Sequence, residues 1–226
     1  DLTNPVLVQT LSPLADGLDI QLVGSTLYAT SESNGLVMYD LSDPANPALI
    51  DSQPIAFDRN IFWFTIEDDI VYASELGRSI VTVDVSDLQN PIVLDRIDFD
   101  ERFFKLDLMG DWIYVTADNE RMQVIDRRDP ANLVLAMSYP FQETIVTYAA
   151  GSGVILTYEQ FDNLVRLYSP VGDNPIIGAT PINQTLYDFK VEEPYMYQLY
   201  MNEIRILERN AQGEFEQIGD LTTNHT

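Results

Sequence analysis

The amino-acid sequence predicts an all-β protein built from a repeated unit, and three observations lead to this prediction. Short segments rich in Val, Ile, Tyr, Phe and Thr alternate with turn residues along the chain, as strands and their connections do. Apolar residues almost never recur at helical spacing over three turns, so no helix competes with the strands. A pattern of four such segments also recurs at a nearly constant interval, which is typical of repeat architectures.

The repeat is clearest in its third segment, whose closing positions can be aligned across the chain. These positions are Asp40, Asp84, Asp126, Tyr168 and Glu208, and their spacings are 44, 42, 42 and 40 residues. An interval of about 40 to 50 residues is that of a four-stranded propeller blade. Because sandwiches and simple barrels need no repeat of this length, we predict a β-propeller of four-stranded antiparallel blades.

Five repeats are visible within one predicted domain that covers residues 1–226. The predicted blades cover residues 17–54, 60–98, 102–140, 144–181 and 185–222. The preceding segment 1–10 resembles an outermost strand, because its Asp-Leu-Thr-Asn-Pro start parallels Asp87-Leu88-Gln89-Asn90-Pro91. Two arrangements stay open: a five-bladed ring, or part of a ring with six or seven blades in which segment 1–10 pairs with other strands.

Two stretches carry a family resemblance. Residues 35–47 read Gly-Leu-Val-Met-Tyr-Asp-Leu-Ser-Asp-Pro-Ala-Asn-Pro, and residues 79–91 repeat the pattern. These stretches, with the Tyr-Ala pairs at 28–29 and 72–73, resemble the signature of LVIVD-repeat propellers. The resemblance implies a bacterial or archaeal protein that is secreted or held at the cell surface. Residues 127–130 depart from the pattern, since Arg-Arg-Asp-Pro replaces the usual Val-Ser-Asp turn.

Composition restricts the setting and the partners. The chain has 12 Lys and Arg against 36 Asp and Glu, a formal charge of −24 that repels nucleic acids and anionic lipids. The absence of cysteine excludes disulfides and thiolate metal sites. No run of about 18 apolar residues exists, so we expect no membrane insertion. An acidic, lysine-poor surface suits high-salt or marine surroundings, or simply an acidic secreted protein. Together with the family resemblance it leads us to expect an extracellular or cell-surface location, with the periplasm as an alternative.

Alignment of the innermost strands groups polar residues that we expect to line the central channel. The candidate ligand-binding residues are Asp19, Gln21, Lys105, Asp107, Asp188 and Lys190. They form either an axial pocket for a small anion, sugar or metal, or a set of charge pairs that satisfy polar groups in a narrow wet channel. Lysines compete with a divalent cation, so no metal and no cofactor is predicted, and no motif supports calcium.

Pairs of acids recur three residues apart at the end of the third segment of three repeats. The pairs are Asp40 with Asp43, Asp84 with Asp87, and Asp126 with Asp129. Paired carboxylates are compatible with calcium binding or acid–base chemistry. The spacing lacks the further oxygen ligands of a calcium loop, so we predict structural roles in which each carboxylate accepts backbone N–H bonds within its own turn.

The loops that enter the blades carry charged and aromatic residues side by side, and a rigid scaffold presents such loops to partners. The candidate binding residues there are Arg59, Phe99, Glu101 and Arg102. They suit recognition of a protein or a surface glycan, and a solvated acidic rim is the simpler alternative.

Catalytic motifs are sparse. The only histidine is His225, and no nucleophile elbow, Walker loop or dinucleotide fingerprint occurs, so no catalytic residue is predicted. The first hypothesis is a non-catalytic extracellular or cell-surface propeller that binds a protein or a glycan. Such a propeller could also serve as a subunit or domain of a larger surface assembly. The alternatives are a carboxylate-based hydrolase of glycosidase or lactonase type with an axial site, and a repeat unit of an S-layer or filament that self-assembles through segment 1–10.

Overall fold

The computed structural model of the 226-residue chain consists of strands and their connections. The described residues are 7, 10–11, 17–31, 35–50, 57, 60–117, 121–140, 145–151, 154–159, 164–168, 176–182, 185–192, 194–210 and 215–222. Over these residues there is no helix with the length and hydrophobicity needed to span a membrane. The predicted outer strand 1–10 lies outside them except for Leu7 and Thr10, so its pairing stays a prediction.

Twenty strands form five four-stranded sheets within the described residues, and each sheet is one blade of consecutive strands. Blade 1 comprises β1 (Gly17–Val23), β2 (Thr26–Ser31), β3 (Gly35–Asp40) and β4 (Ala48–Leu49). Blade 2 comprises β5 (Ile61–Glu67), β6 (Ile70–Glu75), β7 (Ser79–Asp84) and β8 (Ile92–Asp98). Blade 3 comprises β9 (Phe103–Met109), β10 (Trp112–Ala117), β11 (Arg121–Asp126) and β12 (Val134–Pro140).

The last two blades follow the same plan. Blade 4 comprises β13 (Ile145–Gly151), β14 (Val154–Glu159), β15 (Leu164–Tyr168) and β16 (Ile176–Pro181). Blade 5 comprises β17 (Asp188–Glu192), β18 (Tyr195–Leu199), β19 (Glu203–Arg209) and β20 (Phe215–Thr222). Neighbouring strands of blades 1, 2, 4 and 5 pair antiparallel. The arrangement confirms the predicted all-β fold of four-stranded blades.

Internal contacts divide the chain into two compact units. The first consists of residues 1–106 and 126–134, and the second of residues 107–125 and 135–226. The single domain over residues 1–226 and its blade boundaries therefore stay predictions.

The core of the first unit lies between blades 1 and 2, where β1 runs beside β5. Tyr28 and Met38 are register partners on β2 and β3, so their side chains lie on one face of blade 1. They belong to the same buried cluster as Phe64, Val71 and Val83 of blade 2. Each such side chain contributes roughly 1.5 to 3 kcal/mol by leaving water, so apolar alternation along the strands is what packs one blade on the next.

The second unit has its own apolar cluster in blade 5, formed by Leu186, Met196 and Tyr200. The Tyr200 hydroxyl donates to Gln198 Oε1 over 3.0 Å, which satisfies two buried polar groups at once. The guanidinium carbon of Arg205 lies 4.4 Å from the centroid of the Tyr200 ring, and Arg205 is also paired with Glu203.

The turn between β6 and β7 depends on a glycine. Gly77 has a φ of +61°, in the left-handed region that disfavours side chains. A Cβ atom on Gly77 would lie 2.3 Å from the carbonyl oxygen of Phe103. The backbone N–H of Phe103 donates to the Gly77 carbonyl over 2.7 Å, so the two backbones are in direct contact.

Candidate functional site

The repeated aspartates lie in the turns that connect the third and fourth strands of blades 1 and 2. Asp40 Oδ1 accepts from the Ser42 N–H over 2.8 Å, and Asp84 Oδ1 accepts from the Ser86 N–H over the same distance. Asp87 accepts from the Gln89 N–H over 3.0 Å, as Asp43 does from the Ala45 N–H. Two successive Asx turns therefore shape each connection.

A side-chain amide strengthens the second Asx turn of each pair. Asn46 Nδ2 donates to Asp43 over 2.8 Å, and Asn90 Nδ2 donates to Asp87 over 2.9 Å. The Asn46 amide and then the Ala45 N–H lower the pKa of Asp43, and the Asn90 amide with the Gln89 N–H does the same for Asp87. The pKa of Asp84 is lowered by hydrogen bonds from the hydroxyl and the N–H of Ser86. The lowered pKa values keep these three carboxylates ionised at neutral pH.

The turn of blade 3 differs in its electrostatics, because two arginines enter it. Its carboxylates accept backbone N–H bonds over 3.0 Å, Asp126 from Arg128 and Asp129 from Ala131. The Arg128 guanidinium also pairs with Asp126 and lowers the pKa of that carboxyl. This turn therefore carries less net negative charge than those of blades 1 and 2.

The other arginine attaches the blade 3 turn to blade 2. Arg127 Nη1 donates to the Tyr72 hydroxyl over 3.1 Å, and the guanidinium carbon lies 5.1 Å from the centroid of the Tyr72 ring. Arg127 also pairs with Glu67. Burial disfavours the charge of Arg127, but the hydrogen bonds to Tyr72 and Glu67 outweigh it and raise the arginine pKa. Thr82 Oγ1 donates to the Pro130 carbonyl over 2.6 Å and adds a second attachment.

The axial candidates fall into both units. Asp19 Oδ2 accepts from the Phe64 N–H over 3.3 Å and Oδ1 accepts from the Ile20 N–H over 2.9 Å, so this carboxylate links β1 to β5. Gln21 is half-buried on the same strand. In the second unit Asp107 is half-buried and Lys190 is exposed. The side chains of Lys105 and Asp188 lie outside the described residues, so a shared axial site stays a prediction.

The loop candidates take part in packing to different degrees. The Phe99 ring meets the Phe103 ring edge-on, with centroids 5.7 Å apart and planes at 82°, and the Phe99 side chain is half-buried. Glu101 is half-buried, Arg102 is exposed, and Arg59 lies outside the described residues. Phe99 therefore packs against Phe103, and the binding role of this loop stays a prediction.

Sequence reasoning missed a set of exposed apolar side chains on the outer strands, the fourth strand of each blade. We call them the outer-strand apolar residues, and each is 45 to 60% exposed: Leu49, Ile92, Val93, Val134, Leu135, Ile218 and Leu221. In blades 1 and 2 they follow an Asn-Pro pair directly, as Asn-Pro-Ala-Leu and Asn-Pro-Ile-Val. That repeated signal could have identified them. A second exposed group, Tyr187, Leu199 and Met201, lies at one end of blade 5.

The outer-strand apolar residues lie beside the acidic turns. Asp84 on β7 is the register partner of Ile92 on β8, so the two side chains extend from the same face of blade 2. Asp40 and Ala48 are partners in the same way in blade 1. Within the described part of the chain no group of three or more His, Cys, Asp or Glu side chains is placed to hold a metal ion. The clearest candidate lies within the first unit, on the outer strand of blade 2, where exposed apolar side chains lie beside ionised turn carboxylates.

Five consecutive four-stranded blades, the first three with matching Asx turns after the third strand, define the class of the molecule as a β-propeller repeat protein. The family model of the LVIVD repeat matches residues 16–53 and 105–140, which confirms the resemblance to LVIVD-repeat propellers. A search of curated proteins found no match.

Solved propeller structures share the fold at very low sequence identity. Sqt1 of Saccharomyces cerevisiae matches with a TM-score of 0.70 and 7% identity over 95% of this chain. The match covers 63% of Sqt1, so the chain spans less than two thirds of the length of that protein. BBS1N, crystallised in complex with ARL6DN, matches with a TM-score of 0.69 and 9% identity over 93% of this chain and 68% of its own. Because 1273 solved chains match, the fold alone selects no function.

Proposed function

We propose that this chain is a non-catalytic β-propeller scaffold that binds another protein through the outer-strand apolar residues of blade 2, outside the cell or at its surface. The observation that carries the proposal is the exposure of Ile92 and Val93, which are 60% and 50% exposed on the same strand. Full burial of such a side chain contributes roughly 1.5 to 3 kcal/mol, so much of that stabilisation is available to a partner. Ile92 shares its face of blade 2 with Asp84, and Val93, the next residue of the strand, extends from the other face. Exposed apolar side chains with polar neighbours at a sheet edge are typical of protein-binding surfaces.

The scaffold suits this role because the exposed side chains stand on a hydrogen-bonded frame. Strand β8 pairs with β7 from Ser79–Asp98 to Asp84–Ile92. Side chains held in this way lose little conformational freedom on binding, which favours affinity. The complex of BBS1N with ARL6DN supports protein binding by a chain of this fold. The location is supported by the LVIVD resemblance and by a lysine-poor composition with a formal charge of −24.

Site-specific photo-crosslinking in the source cells tests the proposal. A photo-reactive residue at Val93 should form an adduct with a second protein, and Ile92→Thr should reduce its yield because the adjacent contact is lost. The same photo-reactive residue at Asp98, an exposed position at the far end of β8, is the matched control. Equal adducts at Val93 and Asp98, or a yield that Ile92→Thr leaves unchanged, would contradict the proposal.

A further inference from the structure

Blade 2 differs from the other blades in the way its outer strand combines length, apolar character and charge. Strand β8 has seven residues and begins with Ile92 and Val93, both at least half exposed. It is the terminal strand of its sheet, and in blade 1 the corresponding strand β4 has only two residues. Blade 2 therefore combines a seven-residue outer strand that begins with two exposed apolar residues and a double-aspartate turn without arginines.

The charge beside this strand is negative and persistent. Asp84 is half-buried and Asp87 is exposed at one end of β8, and their carboxylates are fixed by hydrogen bonds from the turn. The turn residues Ser86 to Asn90 contribute no cation, whereas in blade 3 Arg128 pairs with Asp126. Blade 5 has outer-strand apolar residues but no double-aspartate turn, since Asn-Ala-Gln-Gly occupies residues 210–213.

We propose that the exposed edge formed by β8 binds a cationic protein segment in which Lys or Arg residues flank an apolar anchor. Ile92 and Asp84 extend from one face of this edge, Val93 extends from the other, and Asp87 lies in the preceding turn, so the segment contacts the edge from both faces. Charge complementarity selects this occupant, because a formal charge of −24 attracts cations from a distance and the turn carboxylates lie beside the apolar contact. The inference rests on the proposed function and adds the chemistry of the partner.

A second copy of this chain is a poorer occupant for the same reason. Two chains of charge −24 repel each other, so self-association through β8 would strengthen as salt screens the repulsion. Binding of a cationic segment would instead weaken as salt is added. A β-bulge interrupts the register of β8 between Val93 and Asp95, which also limits continuous strand pairing along this edge.

The test uses synthetic peptides as probes and the full 226-residue chain. A peptide of alternating Lys and Leu should bind, and a peptide with Glu in place of Lys should not, as measured by fluorescence anisotropy. Raising the salt concentration from about 0.02 M to about 0.3 M should lower the affinity for the Lys-Leu peptide at least about tenfold, because the Debye length shortens several-fold. Salt-independent binding, or equal binding of the Glu peptide, would overturn the proposal.

Matched variants distinguish the site from general attraction to an acidic surface. The double variant Ile92→Thr/Val93→Thr keeps β-branched side chains at both positions and should lower the affinity for the Lys-Leu peptide about tenfold. The double variant Ile218→Thr/Leu221→Thr removes equally exposed apolar residues of blade 5 and should leave affinity unchanged. Asp87→Asn should weaken binding a few-fold, since the asparagine keeps an acceptor for the turn while the charge is lost, and Asp43→Asn, which makes the same change in blade 1, should not.

The outcomes are separable from those of the proposed function. Equal losses in the blade 2 and blade 5 variants, or in Asp87→Asn and Asp43→Asn, would overturn the proposal. A Val93 crosslink to an acidic protein would keep the proposed function and overturn the cationic partner. If the double blade 2 variant fails to fold by circular dichroism, the single variant Val93→Thr is compared with Ile218→Thr in the same assay and by the same criteria.

Discussion

Replacing Gly77 with alanine perturbs the contact between the β6–β7 turn and the first residue of β9. Alanine in the left-handed region costs about 1 to 2 kcal/mol relative to its preferred backbone conformation. At φ +61° this cost applies in full, and the new Cβ would also lie 2.3 Å from the Phe103 carbonyl oxygen. Since a real Cβ does not approach backbone so closely, the turn or the Phe103 backbone must move.

That movement has its own cost. The Phe103 N–H donates to the Gly77 carbonyl over 2.7 Å, and a typical hydrogen bond of this kind contributes about 0.5 to 1.5 kcal/mol. Together with the conformational cost, we expect Gly77→Ala to lower the free energy of unfolding by about 1.5 to 3.5 kcal/mol. Urea unfolding followed by circular dichroism measures this change, with the m-value checked for constancy.

Gly24 and Gly110 provide matched controls for the steric part of the effect. Both have positive φ, +59° and +55°, and a Cβ at either position would meet nothing within 4 Å. Gly24→Ala and Gly110→Ala should therefore cost only the conformational part, about 1 to 2 kcal/mol. If Gly77→Ala destabilises the protein no more than these two variants, the reasoning from the Phe103 contact is refuted.

Three further predictions concern charged side chains in the first unit. Arg127→Met should lower the free energy of unfolding by about 2 to 3 kcal/mol, because the hydrogen bond to Tyr72 and the cation–π contact are lost. The side chain of Arg128 is 65% exposed, so Arg128→Met should leave the free energy of unfolding nearly unchanged. Equal effects of the two variants in chemical denaturation would contradict this prediction. Arg96→Met should lower the free energy of unfolding by about 3 to 5 kcal/mol, because it removes the ion-pair partner of Glu75, whose side chain is only 1% exposed. Adding Glu75→Gln should recover part of this loss. No recovery in the double variant would argue against the ion pair. The pKa of Asp87 is lowered in the folded state, so this carboxylate stabilises the protein above about pH 4 and the stabilisation is lost as pH falls through the lowered pKa. The difference in free energy of unfolding between the wild type and Asp87→Asn should therefore shrink between about pH 5 and pH 3. A difference that stays constant with pH in urea titrations would refute this prediction.

The fold could be read from the sequence because a blade is specified several times over. Closing positions such as Asp40 and Asp84 recur at constant phase, and each marks the same turn at the end of a third strand. Alternation of apolar residues then fixes which face packs on the neighbouring blade. These signals are local and repeated. A repeat that departs from the pattern, such as the third, can therefore still be identified as a blade from its spacing to the other repeats.

The site was less accessible because exposure depends on what packs around a residue. Alternation along the innermost strands gives Ile20 in blade 1 and Phe64 in blade 2 equivalent positions, yet Ile20 is 68% exposed and Phe64 only 7%. The same limitation concealed the outer-strand apolar residues, since Ile92 and Val93 read as ordinary strand residues. Alternation also could not show that the Asp19 carboxylate reaches the Phe64 backbone, because that contact joins two blades.

Arg127 shows why a departure from a repeat is weak evidence for function on its own. It stands where blade 2 has Val85, a core residue, and interrupts the family pattern as a catalytic or binding residue would. Its hydrogen bonds nevertheless go to Tyr72 and Glu67, so the substitution exchanges an apolar contact between blades for a polar one. The stronger functional signal is a feature that repeats without serving the core.

The outer-strand apolar residues have that character. Packing does not require an exposed Ile92 or Val93, and exposed apolar strand edges promote aggregation unless charge is placed next to them. The carboxylates of Asp84 and Asp87 supply such charge, and they repel another copy of the same acidic chain. The same carboxylates attract a partner of opposite charge. One arrangement therefore keeps like chains apart and leaves the apolar contact available to a cationic one, which is why the sign of the salt dependence decides between self-association and recognition.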